Sequence, residues 1–269
     1  MSHIRLIISD IDGTILNDHH QIDPELAALI PDLKREEIPF VLASARSPKG
    51  MAPIAKELDI EDCPMACYNG ALIQKKEQVL FEHPLDKTEA RNFIDWVNQH
   101  FPQVSINLYS GEDWMTDHLD QWSQEEARIT GEKPLILPLL DPLLDMTKPL
   151  HKLLLIGEAE EIQALYRAIP ADDFPSTAFY LSKANYLEVT AKHVSKEDAL
   201  VELANYYHLS LEEVLTMGDN FNDLPMLKKA GIGVAMGNAP QEVKDGAAVV
   251  TKTNNENGAG QAVETYVLI

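Results

Sequence analysis

Short apolar runs that end at polar or glycine residues recur in both terminal parts of the chain. They predict buried strands at residues 4–9, 40–44, 215–218 and, as a weaker signal, 65–68. Between and after these runs, apolar positions with helical spacing predict helices at residues 24–37, 53–58, 195–208 and 223–230. Pro31 falls inside the first helical pattern and predicts a kink or a late start. This alternation predicts an α/β fold: a doubly wound, Rossmann-like parallel sheet with helices on both faces.

The middle of the chain has a different pattern. It contains Trp96, Trp114 and Trp122, and a proline-rich stretch at 133–149 divides it into two halves. Helical spacing recurs at 88–100 and 160–168, and strand-like runs occur at 104–109 and 152–156. We therefore expect an inserted α+β domain at residues 81–187, which interrupts a discontinuous sheet domain of residues 1–80 and 188–269.

Composition restricts the possible partners. The 269 residues carry a formal net charge of −21, which argues against a nucleic-acid partner. This charge still permits a small phosphorylated ligand at a site where a metal ion and a Lys or Arg side chain supply local positive charge. No apolar run is long enough for a membrane span, and the N-terminal residues do not resemble a secretory signal, so a cytoplasmic location is expected. Cys63 and Cys67 have no second cysteine pair or histidine pair nearby, which disfavours a zinc site and favours small core residues.

Two aspartates follow the first predicted strand. Asp10 and Asp12 are two positions apart, so an extended chain directs both side chains the same way. Two neighbouring carboxylates repel each other, and burying them is costly unless a cation lies between them. Mg²⁺, a hard cation that prefers oxygen ligands, is the natural candidate. Gly13 then permits a turn or a close backbone approach.

Polar residues also follow the other predicted strands. Ser44 and Arg46 come after the second strand, and Asp219, Asn222 and Asp223 come after the strand at 215–218. Asn69 and Gly70 follow the strand at 65–68 and either shape a pocket through backbone groups or form a plain turn. Lys196 lies at the start of a predicted helix. Because sites in doubly wound sheets lie at the carboxyl ends of the strands, these residues are expected to gather there.

The order and types of these motifs resemble those of the haloacid-dehalogenase-like superfamily. The nearest resemblance is to its Cof-type group (subclass IIB, with a C2-type cap), whose larger cap lies between the second and third motifs. Asp-Ile-Asp-Gly-Thr near the start, combined with Gly-Asp-Asn-Phe-Asn-Asp some 200 residues later, is a specific pairing. The resemblance covers nearly the whole chain, although the cap is matched more by position and size than by sequence.

The resemblance implies a role for each catalytic residue. Asp10 would be the nucleophile that forms an aspartyl-phosphate, and Asp12 would be the general acid and base. Lys196 would balance the negative charge. Asp10, Asp219 and the backbone carbonyl of Asp12 would hold Mg²⁺, with Asp223 as a further ligand or support.

The remaining motif residues would act on the phosphate. Ser44 would hydrogen-bond the transferring phosphoryl group, and Asn222 would lie near it. Arg46 would either contact substrate or pair with a surface carboxylate. Two positions depart from the motifs usual in this group: Ala45 stands where glycine is common, and Glu197 follows the lysine and adds negative charge near the expected substrate entrance.

The sequence thus predicts a Mg²⁺-dependent phosphatase for small phosphorylated metabolites: sugar phosphates, nucleotides or flavin-type phosphates. Two alternatives stay open. A phosphomutase or phosphotransferase would share the nucleophile, and a non-catalytic protein of the same fold would bind a phosphometabolite without turnover. The physiological substrate and the oligomeric state are not determined by these patterns.

Overall fold

The computed structural model describes residues 4–145 and 147–268, and within them the chain forms two compact units. The first unit comprises the chain up to Arg46, Met51–Phe81 and the chain from Ser195 onward. The second comprises Ser47–Gly50 and Glu82–Val194.

The first unit is built on a mostly parallel sheet. Its strands are β1 (Leu6–Ser9), β2 (Phe40–Ala43), β3 (Met65–Cys67), β4 (Leu72–Lys75), β5 (Gln78–Glu82), β12 (Val214–Gly218), β13 (Ile232–Ala235) and β14 (Val249–Val250). They are ordered β14-β13-β12-β1-β2-β3-β4-β5. The pairs from β14 to β3 are parallel, and β4 runs antiparallel to β3. The predicted doubly wound sheet is therefore confirmed.

Helices connect these strands. They are α1 (Pro24–Arg35), α2 (Pro48–Glu57), α7 (Lys196–Tyr206), α8 (Leu224–Lys229), α9 (Gln241–Gly246) and α10 (Gly258–Tyr266). Asp23 caps α1 by accepting the backbone N–H groups of Glu25 and Leu26. The helix begins at Pro24, so the late start considered for Pro31 does not occur. Helix α2 begins at Pro48, five residues before the predicted start. Proline is well tolerated in the first turn of a helix, so it is compatible with this start.

The central strands are apolar because they are covered on both sides. Every residue of β1, β2 and β12 is buried. Leu6, Ile8, Val41 and Val214 share one core with Leu200, which lies on α7. Such continuous apolar runs are typical of parallel sheets with helices on both faces. The register places Ser9 opposite Met217 and Leu42, so the residues after these strands emerge at one edge.

The second unit contains its own sheet. Its strands are β6 (Ser105–Ser110), β7 (Asp113–Thr116), β8 (Leu135–Ile136), β9 (Lys152–Ile156), β10 (Thr177–Lys183) and β11 (Tyr186–Ala191), ordered β10-β11-β9-β6-β7-β8. Its helices are α3 (Lys87–His100), α4 (Gln121–Thr130), α5 (Leu140–Leu144) and α6 (Ala159–Ala168). Side chains of α3 and α6, among them Phe93 and Ile162, pack on one face of the sheet in a common core.

The boundary between the units differs from the expected residue 188. Strand β11 begins at Tyr186 and pairs antiparallel with both β9 and β10, which places residues 188–191 in the second sheet. The chain returns to the first unit at Ser195. The sequence missed β10 and β11 because a hairpin at a sheet edge lacks the fully apolar run of a central strand. In the described part of the chain, no helix is long and apolar enough to span a bilayer.

Candidate active site

Three carboxylates and one lysine meet at the carboxyl edge of the first sheet. Asp10 directly follows β1 and donates its backbone N–H to Met217 on β12. Lys196 begins α7, and its Nζ lies 2.5 Å from Asp10 Oδ1 and 2.6 Å from Asp223 Oδ1. Only 1% of the Lys196 side chain is exposed, so its ammonium group makes these contacts away from bulk water. The buried lysine therefore joins two elements that are distant in sequence.

Burial and like charge control the protonation of this cluster. Burial is the main cause that raises the pKa of Asp10 to about 8. The neighbouring carboxylates of Asp223 and Asp219 also raise this pKa, and the positive charge of Lys196 offsets only part of the increase. Burial raises the pKa of Asp219 to about 6, and the negative charge of Asp223 is the next largest cause of this increase. For Lys196, burial acts in the lowering direction, but Asp10 and Asp223 together raise its pKa above the ordinary value. The cluster holds more negative charge than one ammonium group can balance.

This excess of negative charge fits a cation. Oxygen atoms of Asp10, Asp219 and Asp223 all lie within 4.8 Å of one another, and this is the group of possible metal ligands found in the described residues. Buried or half-buried carboxylates form a hard oxygen set that suits Mg²⁺ and not a thiolate-seeking metal. The residues present thus meet the requirement for a divalent cation.

Asp223 also organises the loop around it. Its Oδ2 accepts the backbone N–H groups of Asp219 and Asn220, each at 3.0 Å, while Oδ1 accepts Lys196. Both oxygens of Asp223 therefore accept hydrogen bonds within the protein, and they connect this loop to Lys196. A Cβ on Gly218 would lie 2.4 Å from the Asp223 Cβ, so glycine is required for this approach.

Asp12 and Arg46 form a bidentate ion pair. Arg46 Nε lies 2.7 Å from Asp12 Oδ2, and Nη2 lies 2.6 Å from Oδ1. The sequence left two possibilities open for Arg46: contact with the substrate, or an ion pair with a surface carboxylate. In the structure Arg46 forms an ion pair with a carboxylate. That carboxylate belongs to the expected acid and base, not to an unrelated surface residue. The planar guanidinium group fixes the orientation of the Asp12 side chain.

The other predicted residues lie on loops at the same edge. The Ser44 hydroxyl is buried and accepts the backbone N–H of Arg46 at 3.3 Å. Asn222 Nδ2 donates to Asn69 Oδ1 at 3.4 Å, which links the loops after β12 and β3. Glu197 pairs with Lys229 at 2.6 Å, so a neighbouring cation balances its added negative charge.

Sequence reasoning missed two residues that hold the acidic cluster. The Thr14 hydroxyl lies 3.3 Å from Asp10 Oδ2 and 3.3 Å from Asp219 Oδ1. Asn238 Nδ2 donates to the Gly13 carbonyl at 2.8 Å and approaches Asp219 Oδ2 at 3.4 Å. Asn238 follows β13, a strand that was not predicted. Applying the same strand-end rule to that apolar run would have identified it.

Known proteins resemble this chain in sequence and in fold. Residues 7–263 match the sequence pattern of the haloacid dehalogenase-like hydrolases. A "Putative phosphatase" of Haemophilus influenzae is 36% identical over 262 residues, which covers 97% of each chain. A 5-amino-6-(5-phospho-D-ribitylamino)uracil phosphatase of Bacillus subtilis is 28% identical and aligns with 98% of this chain and 96% of its own. The crystal structure of a haloacid dehalogenase-like hydrolase from Bacteroides thetaiotaomicron superposes with a TM-score of 0.88 at 30% identity, covering 97% of this chain and 98% of that one.

The chain belongs to the haloacid dehalogenase-like hydrolase family, and the resemblance drawn from its motifs is confirmed. Within that family it is a phosphatase that acts on phosphorylated substrates.

Proposed function

We propose that the protein is a Mg²⁺-dependent phosphatase that hydrolyses small phosphorylated metabolites through an aspartyl-phosphate on Asp10. The observation that carries the proposal is the buried contact of Lys196 with Asp10 and Asp223, beside the carboxylate of Asp219. A carboxylate nucleophile that attacks an anionic phosphate needs concentrated positive charge around it. Lys196 supplies one such charge, and the three carboxylates offer oxygen ligands for a second.

Mg²⁺ would be held by side chains of Asp10 and Asp219 and by the backbone carbonyl of Asp12, with Asp223 supporting the loop. When bound, it supplies positive charge that favours the ionised Asp10 and stabilises a phosphoryl oxygen. Thr14 and Asn238 fix the two carboxylates of Asp10 and Asp219 before the metal arrives. This preorganisation limits the ordering required at the moment of reaction.

In the first step, an Asp10 carboxylate oxygen forms a bond to phosphorus while the ester P–O bond breaks. Asp12 donates its proton to the departing oxygen, so the leaving group departs as an alcohol. In the second step, Asp12 takes a proton from water, whose oxygen attacks the same phosphorus. The bond from phosphorus to Asp10 breaks, which releases inorganic phosphate and restores both carboxyl groups.

Two side chains support these steps. Ser44 would donate its hydroxyl to a phosphoryl oxygen, and Asn222 would lie beside it. Before the reaction, Arg46 orients the carboxylate of Asp12. When substrate is bound, Arg46 would also contact the substrate phosphate. The second unit, which we propose as a cap, would exclude water and contact the organic part of the substrate. The Bacillus subtilis relative named for a phosphorylated ribitylamino compound supports a metabolite of small size.

The test measures inorganic phosphate released from a panel of phosphorylated metabolites, with Mg²⁺ or with a chelator. Asp10→Asn is compared with Asp62→Asn, because Asp62 is an exposed surface aspartate paired with Lys76. We expect release that requires Mg²⁺ and that falls about a thousandfold or more in Asp10→Asn. Asp62→Asn should match the parent protein.

Equal activity of the two variants would contradict the nucleophile assignment. Transfer of phosphate to a sugar acceptor, with little release into water, would favour the phosphomutase alternative. Tight binding of phosphometabolites without any turnover would favour the binding-protein alternative.

A further inference from the structure

A groove on the second unit is lined by several positively charged side chains. Its volume is about 1170 Å³, which is large enough for a small-molecule ligand. Its lining residues all lie within 82–193, so the groove belongs to the second unit and shares no residue with the acidic site. We use the term basic groove for this cavity, after the cations that line it: Lys87, Arg91, Lys148 and Lys192.

The charge of the basic groove is opposite to that of the chain as a whole. The sequence has 22 lysines and arginines against 43 aspartates and glutamates, whereas the carboxylates of the groove are only those of Glu82 and Asp86. Both are engaged within the protein. Asp86 accepts the backbone N–H of Glu89 at 2.9 Å, and Glu82 Oε1 lies 3.2 Å from Nε2 of the buried His151. A concave surface lined mainly by one sign of charge concentrates ions of the opposite sign.

Two lysines of the basic groove are held by backbone carbonyl groups. Lys87 Nζ donates to the carbonyl oxygen of Pro142 at 3.2 Å and to that of Asp145. Lys192 Nζ donates to the carbonyl oxygen of Pro175 at 3.2 Å. Because a carbonyl group carries no net charge, these bonds position the two ammonium groups without neutralising them.

The other two cations are exposed to solvent. Arg91 forms no ion pair with another residue that the structure describes. Lys148 Nζ lies 3.3 Å from Asp113 Oδ2, but the two side chains are 57% and 35% exposed, so water screens this pair. A guanidinium group offers parallel N–H donors to the oxygen atoms of a phosphate or carboxylate. The charges of Lys87, Arg91 and Lys192 therefore remain available to an anionic ligand.

Hydrogen bonds fix the segments that line the basic groove. The backbone N–H of Leu85 donates to the Leu150 carbonyl at 2.7 Å, and that of Lys192 donates to the Ser176 carbonyl at 2.9 Å. Glu89, on α3, accepts the backbone N–H of Ser176 at 3.1 Å and so joins this helix to a second lining segment. A site whose segments are already fixed loses less conformational entropy when a ligand binds.

We propose that the basic groove binds a small polyanion, either an oligophosphate or a tricarboxylate, through Lys87, Arg91 and Lys192. This inference goes beyond the proposed function and does not rest on it, because no residue of the acidic site takes part. A nucleic acid is disfavoured, since an extended polyanion would also meet the net charge of −21 of the chain. A small anion lies within the local field of the groove, where it is close to the cations and far from most carboxylates.

The test is calorimetric titration of pyrophosphate and of citrate into the full-length protein, in a chelating buffer at low salt. Without a metal ion the carboxylates of the acidic site repel anions, so binding under these conditions reports on other sites. The two ligands carry similar charge on different groups, and the one that binds more tightly identifies the class of the natural ligand.

A pair of variants with the same change in net charge provides the comparison. The main variant combines Arg91→Gln with Lys192→Gln, both exposed side chains of the groove. The control combines Arg167→Gln with Lys133→Gln, an exposed arginine and lysine of the same unit that do not line the groove. We expect the Kd of the tighter ligand to rise about tenfold or more in the main variant and less than about twofold in the control.

Hydrogen exchange locates the bound anion. Pyrophosphate or citrate should slow the exchange of amides in residues 85–88 and 191–193, which line the groove. The amides of residues 10–14, beside the acidic cluster, should exchange at an unchanged rate.

The outcomes are distinct. Weaker binding in the main variant alone, with slower exchange at the groove, supports the inference. Three results overturn it: no binding of either ligand to the parent protein, equal weakening in both variants, or slower exchange at residues 10–14 instead of at the groove. None of these measurements depends on catalysis, so failure of the proposed phosphatase chemistry would leave the answer on the groove intact.

Discussion

The same substitution, lysine to methionine, should have very different effects at two ion pairs of the first unit. Lys196 contacts Asp10 and Asp223 at 2.5 and 2.6 Å with 1% of its side chain exposed. Lys229 contacts Glu197 at the same 2.6 Å, but the two side chains are 38% and 37% exposed. The contact distances are thus similar, but Lys196 is buried and contacts two carboxylates, whereas Lys229 is exposed and contacts one. Comparing the two variants measures the combined effect of burial and of the second carboxylate on the free energy of unfolding.

The expected losses follow from that difference. Lys229→Met should lower the free energy of unfolding by about 0–1 kcal/mol, because water screens an exposed pair. Lys196→Met leaves two buried carboxylates without their cation and should cost about 3–5 kcal/mol. A whole domain is stabilised by only about 5–15 kcal/mol, so the second loss is a large fraction of the total.

The assay is urea unfolding at pH 8.5 in a chelating buffer, above the pKa of about 8 at which Asp10 ionises. All three tryptophans lie in the second unit, so their fluorescence reports on that unit. Hydrogen exchange of the β1 and β12 amides reports on the first unit, where both substitutions lie. At pH 6 the loss in Lys196→Met should shrink, because Asp10 then holds a proton and leaves less unbalanced charge.

Equal losses in the two variants would refute the reasoning. So would a loss below 1 kcal/mol for Lys196→Met at pH 8.5, because the buried carboxylates would then have found compensation without the lysine. A change confined to tryptophan fluorescence would place the effect in the second unit and would contradict the assigned contacts.

The further predictions concern the metal and the acid. Between about pH 4 and 8 the folded state binds protons at Asp10 and Asp219 more tightly than the unfolded state, so the metal-free protein should lose stability as pH rises. By the proposed function, Mg²⁺ would displace those protons, so added Mg²⁺ should raise Tm more at pH 8 than at pH 6; a pH-independent Tm shift would contradict this. Gly13→Ala places a Cβ 2.4 Å from Asp219 Oδ2 and should weaken Mg²⁺ binding by about tenfold or more, measured by titration; unchanged affinity would refute the contact. Arg46→Ala releases the carboxylate of Asp12 and should lower kcat/KM about 10- to 100-fold, and retention of full activity would remove the orienting role.

The sequence by itself determined the frame of the first unit and most of its site. The apolar runs ending at Ser9, Ala43 and Gly218 became central strands, because a strand buried on both faces must be apolar throughout. The strand-end rule then identified the acidic residues that follow β1 and β12. Motif identity placed Lys196 in the same group, although 186 residues separate it from Asp10.

Tertiary structure decided what required contacts between distant segments. It paired Arg46 with Asp12, linked Asn238 to Gly13, and placed both oxygens of Asp223 in existing bonds. It also assigned β11 to the second sheet, because strand partners depend on register and not on the composition of one segment. Local patterns report burial and turns along the chain. Charge pairing and protonation depend on distances across the fold, which no local pattern contains.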